Sequence, residues 1–233
     1  MKVAAIIAAA GEGLRMGSST RKQYLLLEGV PVIVYSVKLF LGHPAVKEII
    51  IVVPPGEKDA VKALIRTYYS SGQYILVEGG ETRQESISLG LEAVSIDIDL
   101  VAVHDAARPL ATADLLNRLV EAAAEKGAVV PVISLNDTAK EIDPSGYIIS
   151  TPDREKLRLV QTPQVFRREI LVNAYQEASR KGHMATDDAS LVELSGAKVL
   201  TILGEVNNLK LTSPRDLELA AILMRGLGEK CTG

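Results

Sequence analysis

Val3-Ala4-Ala5-Ile6-Ile7-Ala8-Ala9-Ala10-Gly11-Glu12-Gly13-Leu14-Arg15-Met16-Gly17 stands almost at the start of the chain and joins two signals that rarely adjoin by accident. A continuous apolar run, partly β-branched, suits a strand covered on both faces. The small residues and glycines after it let backbone N–H groups approach an anion closely. With Lys2 in front, the stretch has some look of a signal peptide. Its apolar run is only about eight residues long and leads into a glycine loop, so a buried strand is the expected outcome.

The same alternation continues downstream. Residues 3–8 read as the first buried strand, and residues 49–53, 75–77, 100–103, 129–132 and 199–203 as further ones. Between and after them lie stretches of helical period at 33–41, 57–69, 84–93, 113–126, 168–181, 187–194 and 216–224. In the fourth, Leu115, Leu116, Leu119, Val120 and Ala123 share one face, while Arg118, Glu121 and Glu125 face water. Pro214 stands where a last helix would begin. Strands alternating with helices predict βαβ units with right-handed crossovers, hence an α/β fold around a mostly parallel sheet. With no repeat, linker or low-complexity tract, residues 1–233 read as one domain. One segment breaks the pattern. Residues 138–142 and 147–151 flank Asp143-Pro144-Ser145-Gly146, a strong turn signal, and predict a β-hairpin arm over about 136–155. Such an arm is either a surface excursion or a projection toward a partner subunit.

Composition narrows the function. The 233 residues are 47% hydrophobic and 24% charged, with a net charge of −3, which excludes a broad electrostatic attraction for nucleic acid. Phosphate binding must then come from a few focused cations. No apolar stretch approaches the ~18 residues that span a bilayer, so no membrane association is expected. The single cysteine, Cys231, allows no internal disulfide, and a cytoplasmic setting is expected. Three histidines and one cysteine argue against a zinc site, and no Ser-His-Asp or Cys-His nucleophile set stands out.

Three readings compete for the glycine loop. The dinucleotide fingerprint needs glycine where Met16 stands, and the second strand ends in Pro54-Pro55-Gly56 with no acid for a ribose. A Walker loop needs Gly-Lys-Ser/Thr, which is absent. What remains is a loop with its own cation, Arg15, and Lys22 seven residues on in Arg21-Lys22-Gln23-Tyr24. Arg15 and Lys22 are candidates for nucleotide phosphates, with the backbone of Ala9, Ala10, Gly11 and Gly13 as the cradle.

The loop followed by Lys22-Gln23-Tyr24 resembles the nucleotidyltransferase signature of the methylerythritol-phosphate cytidylyltransferase family. Gly79-Gly80-Glu81-Thr82-Arg83-Gln84-Glu85-Ser86, His104-Asp105-Ala106-Ala107-Arg108-Pro109, Asp137-Thr138, Asp153-Arg154, Leu159-Val160-Gln161-Thr162-Pro163-Gln164, Thr186-Asp187-Asp188 and Asn208-Leu209-Lys210-Leu211-Thr212 continue it in order from Val3 to about Leu223. Leu14 departs from the pattern where some members carry a second arginine, and Glu81 stands where others have aspartate.

The resemblance implies a Rossmann-like three-layer sandwich with a projecting β-hairpin arm, and transfer of a cytidylyl group from CTP to a polyol phosphate. Such a phosphate is already largely dianionic at pH 7, so positioning and cations carry the reaction rather than a general base. It further implies catalytic roles for Arg15, Lys22 and Lys210, the last at the α-phosphate. Gly80, Glu81, Arg83, Ser86 and Ala106 would meet the nucleotide. Asp105, Arg108, Thr138, Arg154 and Thr162 would meet the second substrate. Mg²⁺ would be held mainly through the CTP phosphates. A homodimer formed through the arm, with Thr138 and Arg154 reaching the neighbour's site, completes these expectations.

Overall fold

The computed structural model describes residues 1–11, 21–70 and 73–229. Strand β1 (Val3–Ala8) is the middle of the main sheet, hydrogen-bonded in parallel to β4 (Val46–Val53) on one side and β6 (Leu100–Asp105) on the other. Beyond β4 lies β5 (Ile75–Glu78), also parallel. Side chains alternate across the sheet as the pleat requires. Val3, Ala5 and Ile7 pack under α1 (Val32–Leu41), α2 (Lys58–Tyr68) and α4 (Ala113–Lys126). Ala4 and Ile6 pack against α3 (Arg83–Glu92), α5 (Arg168–Lys181) and α6 (Asp188–Leu194). Helices on both faces make the three-layer, Rossmann-like arrangement, and its continuous apolar strands follow from burial on both sides.

The other half of the sheet is mixed. Strand β7 (Ala128–Ser134) runs parallel to the edge strand β12 (Leu200–Leu203). Between β6 and β7 runs β11 (Gln164–Arg167), antiparallel to both. Strand β10 (Arg158–Val160) continues the antiparallel pairing along β7. Val160 faces Val132 and Val165 faces Val129, so five steps on one strand meet three on the other. The sequence reading missed both β10 and β11. Gln164 and Phe166 are nonetheless fully covered.

A short ribbon of β2 (Leu26–Leu27) and β3 (Val30–Pro31) leads into α1. It lies under α7 (Pro214–Glu229), where Leu27, Val32, Leu211 and Ala220 form a third small core. The expected hairpin is present as β8 (Glu141–Ile142) and β9 (Ile148–Ser150), which pair only with each other among the described residues. Asp143 shapes its turn by accepting from the N–H groups of Ser145 and Tyr147 at 2.9 Å each.

From β1 the chain moves outward to β4 and β5, then returns to β6 on the other side. Successive strands thus leave β1 in opposite directions, and loops at the carboxyl ends of β1 and β6 part to leave a crevice. This is where open α/β sheets take their ligands.

Candidate active site

The crevice is a cleft of about 590 Å³. Its floor is the carboxyl end of β1 and the start of the glycine loop, including Ala9, Ala10 and Gly11. Gln23, itself buried, donates from Nε2 to the carbonyls of Ala9 at 2.6 Å and Gly11 at 3.2 Å. These bonds tie the loop's beginning to a 3₁₀ turn, Lys22–Tyr24, which places Lys22 on the cleft wall. The turn is anchored outside by Glu57, which accepts from the Tyr24 hydroxyl at 2.8 Å and from Arg21 Nε at 3.1 Å. Gln23 and Glu57 were not assigned a role from sequence. Gln23 stood in the family motif, but its carbonyl partners become neighbours only in the fold. Gly13 and Arg15 lie outside the described residues, as does Cys231.

A second wall comes from the β5–α3 junction, with Gly80, Glu81, Arg83 and Ser86. Helix α3 begins with a capping box: Thr82 Oγ1 accepts from the N–H of Glu85 at 3.0 Å, and the Glu85 carboxylate accepts from the N–H of Thr82 at 3.2 Å. The Ser86 hydroxyl accepts from the Gly80 N–H at 3.2 Å. Gly79 permits this packing, because a Cβ there would stand 2.5 Å from Ala10 Cβ and 2.6 Å from Ser86 Oγ.

The third wall is the carboxyl end of β6, with Asp105 and Ala106, and across from it Lys210. Asp105 is 8% exposed and holds two cations. Its Oδ1 meets Arg83 Nε at 3.2 Å and its Oδ2 meets Lys210 Nζ at 2.6 Å. Burial would raise its pKa, yet Arg83, Lys210 and Arg108 together hold the carboxyl well below the usual range. Arg83 is therefore occupied at two acids, since its Nη2 also pairs with Asp188 Oδ2 at 2.7 Å. Burial would lower its pKa, but those two carboxylates keep its charge firmly in place.

Two of the expected substrate residues stand behind the cleft rather than in its lining. The hydroxyl of Thr162 accepts from the Asp105 N–H at 3.0 Å and lies 3.1 Å from Nδ1 of His104. Arg108 donates from Nη1 to the Asn208 carbonyl at 2.7 Å and thereby braces the loop that carries Lys210. Gln161 reaches that carbonyl too, at 3.2 Å, and Leu211 N–H bonds to the Ala107 carbonyl at 2.8 Å. Thr138 and Arg154 lie in the exposed arm region and do not line this chain's cleft, with Arg154 Nη1 donating to the Asn136 carbonyl at 3.0 Å.

This geometry of glycine-rich strand ends, two lysines and one buried aspartate accompanies a clear sequence likeness. The family model described as IspD, 2-C-methyl-D-erythritol 4-phosphate cytidylyltransferase, matches residues 3–226. The chain belongs to that family. A relative named 2-C-methyl-D-erythritol 4-phosphate cytidylyltransferase from Symbiobacterium thermophilum is 44% identical over 229 residues, covering 98% of this chain and 95% of that protein. The crystal structure of the enzyme of that name from Thermus thermophilus superposes with a TM-score of 0.80 at 36% identity, covering 97% of this chain and all of the other. A 4-diphosphocytidyl-2C-methyl-D-erythritol synthase from Anaerococcus prevotii superposes with a TM-score of 0.85 at 30% identity, each chain covered to 96%. Membership in the cytidylyltransferase family makes the protein a nucleotidyltransferase and supports the Rossmann-like reading of its fold.

Proposed function

We propose that the cleft seats CTP with its triphosphate over residues 9–11 between Lys22 and Lys210, and its cytidine against the β5–α3 junction. The reaction is the family's, in which a phosphate oxygen of 2-C-methyl-D-erythritol 4-phosphate attacks the α-phosphorus of CTP. The bond to the pyrophosphate leaving group breaks, and 4-diphosphocytidyl-2-C-methyl-D-erythritol forms. The observation carrying this reading is that Lys22 and Lys210, distant in sequence, both line one cleft with the glycine-rich ends of β1 and β5. Each lysine offers a fixed ammonium to charge that grows on the phosphates during transfer. Arg15 joins them on the family resemblance. Asp105, held ionised by its two cations, serves as an acceptor for polyol or ribose hydroxyls at the far wall.

Mg²⁺ fits as a companion of the triphosphate. Among the described residues there is no cluster of three or more histidine, cysteine or acidic side chains, and Asp105 is the buried carboxylate of the lining. An ion that keeps most of its ligands as water and substrate oxygens needs no protein cage. When bound, it would neutralise triphosphate charge. Lys22 and Lys210 then orient the α-phosphate, and the β5–α3 backbone fixes the nucleoside. A homodimer through the arm, placing Thr138 and Arg154 in the neighbour's site, belongs to the same reading. So does a cytoplasmic setting; among the described residues no helix is long and apolar enough to cross a membrane.

Pyrophosphate release from CTP and Mg²⁺, with 2-C-methyl-D-erythritol 4-phosphate or ribitol 5-phosphate as acceptor, tests the assignment. The first acceptor should be used and the second should not. Lys22→Ala should lower turnover by about 10²–10³, the usual loss for one preorganised donor to a developing oxyanion, with the fold retained by circular dichroism. Near wild-type turnover would remove Lys22 from the mechanism.

A further inference from the structure

Behind the cleft, a run of alternating charges leads to a carboxylate that no substrate can reach. Asp188, on α6, is 0% exposed. Its Oδ1 accepts from the Tyr175 hydroxyl of α5 at 2.6 Å, and its Oδ2 pairs with Arg83 Nη2 at 2.7 Å. Arg83 passes the link through Nε to Asp105 Oδ1, and Asp105 Oδ2 holds the Lys210 ammonium. The two oxygens of each carboxylate thus have different partners, and Arg83 holds one oxygen of each.

We propose that Asp188 is a positioning residue for cytidylyl transfer: with Tyr175 it restrains Arg83, so that Asp105 keeps one oxygen for Lys210. A guanidinium carries a fork of donors that matches both oxygens of a carboxylate. Released beside Asp105, Arg83 could take both oxygens and displace Lys210. Asp188 draws Nη2 away and limits Arg83 to an Nε contact.

The support is itself well braced. Gln164 donates to Asp187 Oδ2 at 2.8 Å and accepts from the Ala189 N–H at 3.1 Å, fixing the start of α6 to the sheet. Gln84, next to Arg83, donates to the His183 carbonyl at 3.0 Å and accepts from the Ala185 N–H at 3.1 Å. Both ends of the Asp188–Arg83 contact are therefore tied to the same platform. An ion pair with one partner fully buried is a poor way to gain stability, since well-packed apolar residues often do as well or better. What the pair provides here is placement.

This inference rests on Lys210 acting at the transferred phosphoryl group, and a double-mutant cycle separates the two ideas. Turnover and KM would be measured for Asp188→Asn, Tyr175→Phe, Lys210→Gln and the Asp188→Asn/Lys210→Gln pair, each checked for folding by circular dichroism and melting. Asp188→Asn should lower kcat about 10- to 100-fold, as when an outer partner orienting a metal ligand is lost, while KM for CTP stays close to wild type. Tyr175→Phe keeps the ring and should show a smaller loss of the same kind. In the Lys210→Gln background, Asp188→Asn should cost no further turnover, because residues acting as a unit are not additive. An equal loss in both backgrounds overturns the proposal and leaves Asp188 a structural residue. If Asp188→Asn does not fold, Tyr175→Phe enters the cycle in its place and is judged by the same two outcomes. Wild-type turnover in Lys210→Gln would sink the reading of the cleft itself. A crippled Lys210→Gln beside fully active Asp188→Asn and Tyr175→Phe would sink the relay alone.

Discussion

His104 shows how one buried side chain supports the cleft without entering it. Thr162 accepts from the Asp105 N–H, so its own hydroxyl proton is available to Nδ1 of His104 at 3.1 Å. That leaves the ring proton on Nε2, facing the Arg108 carbonyl at 3.2 Å. The ring meets Phe40 edge-on with centroids 5.6 Å apart. Burial holds this imidazole neutral, lowering its pKa from 6.5 to about 4 against the opposing charge of Asp105. Between those values the unfolded chain binds a proton that the folded chain refuses. The resulting stability is fully present above pH 6.5 and is lost as pH falls toward 4, on the order of 3 kcal/mol in all. Melting temperatures between pH 7 and pH 4.5 should therefore fall less steeply for His104→Gln than for the parent chain. Parallel curves would show that His104 carries no part of the acid sensitivity. The sequence marked His104 only as the first letter of a motif, because its neutral tautomer depends on the Thr162 hydroxyl, which adjoins it only after folding.

At the level of strands and helices, the centre of the parallel half was open to reading because β1, β6 and the end of β4 are covered on both faces and therefore uninterrupted in apolar character. Strand β1 was read with the bounds it has, and β4 lacked only Val46-Lys47-Glu48, where two charged residues hide the pairing. Strand β11 was hidden for the opposite reason: Gln164-Val165-Phe166-Arg167 is short and begins and ends with polar residues. Gln164 is buried because its amide serves Asp187 and Ala189, a need that nothing nearby in sequence reveals. The glycines at the β5–α3 junction stood in the sequence as part of the family motif, without the reason for Gly79. That residue lets α3 come against the β1 loop, and a methyl group there would enter both Ala10 and Ser86. Gly79→Ala should destabilise the protein by about 1–3 kcal/mol, the usual range for overpacking. It should also raise KM for CTP, since Ser86 and Gly80 must shift apart. Melting and steady-state kinetics together check this; an unchanged KM would mean that the junction does not shape the nucleotide pocket.

For the molecule as a whole, the arm is the part that a lone chain explains least. Among the described residues, strands β8 and β9 pair only with each other, and a two-stranded ribbon alone is marginal in water. Its side chains are also ill suited to solvent, with Tyr147 75% and Ile148 62% exposed. Covering them with a symmetry-related copy would give a two-fold dimer and protect the free edges. Arg154, near the end of the arm region, does not line the cleft of its own chain, and arginine is suited to grip a phosphate through two parallel bonds. If it serves the neighbouring site, Arg154→Ala should raise KM for the polyol phosphate strongly while KM for CTP changes little. Two crippled variants then become informative together. In a mixed dimer of Lys22→Ala with Arg154→Ala, the subunit carrying Arg154→Ala keeps its own Lys22 and receives an intact Arg154 from its partner. Its neighbour's site lacks both. Random pairing makes half the dimers mixed, each with one working site, so activity should return to about a quarter of the wild-type value after subunit exchange. Light scattering or a differently tagged copy would establish that exchange took place. Persistent inactivity in an exchanged mixture would assign Arg154 to its own subunit's site or to none, and the arm would then be only a means of association.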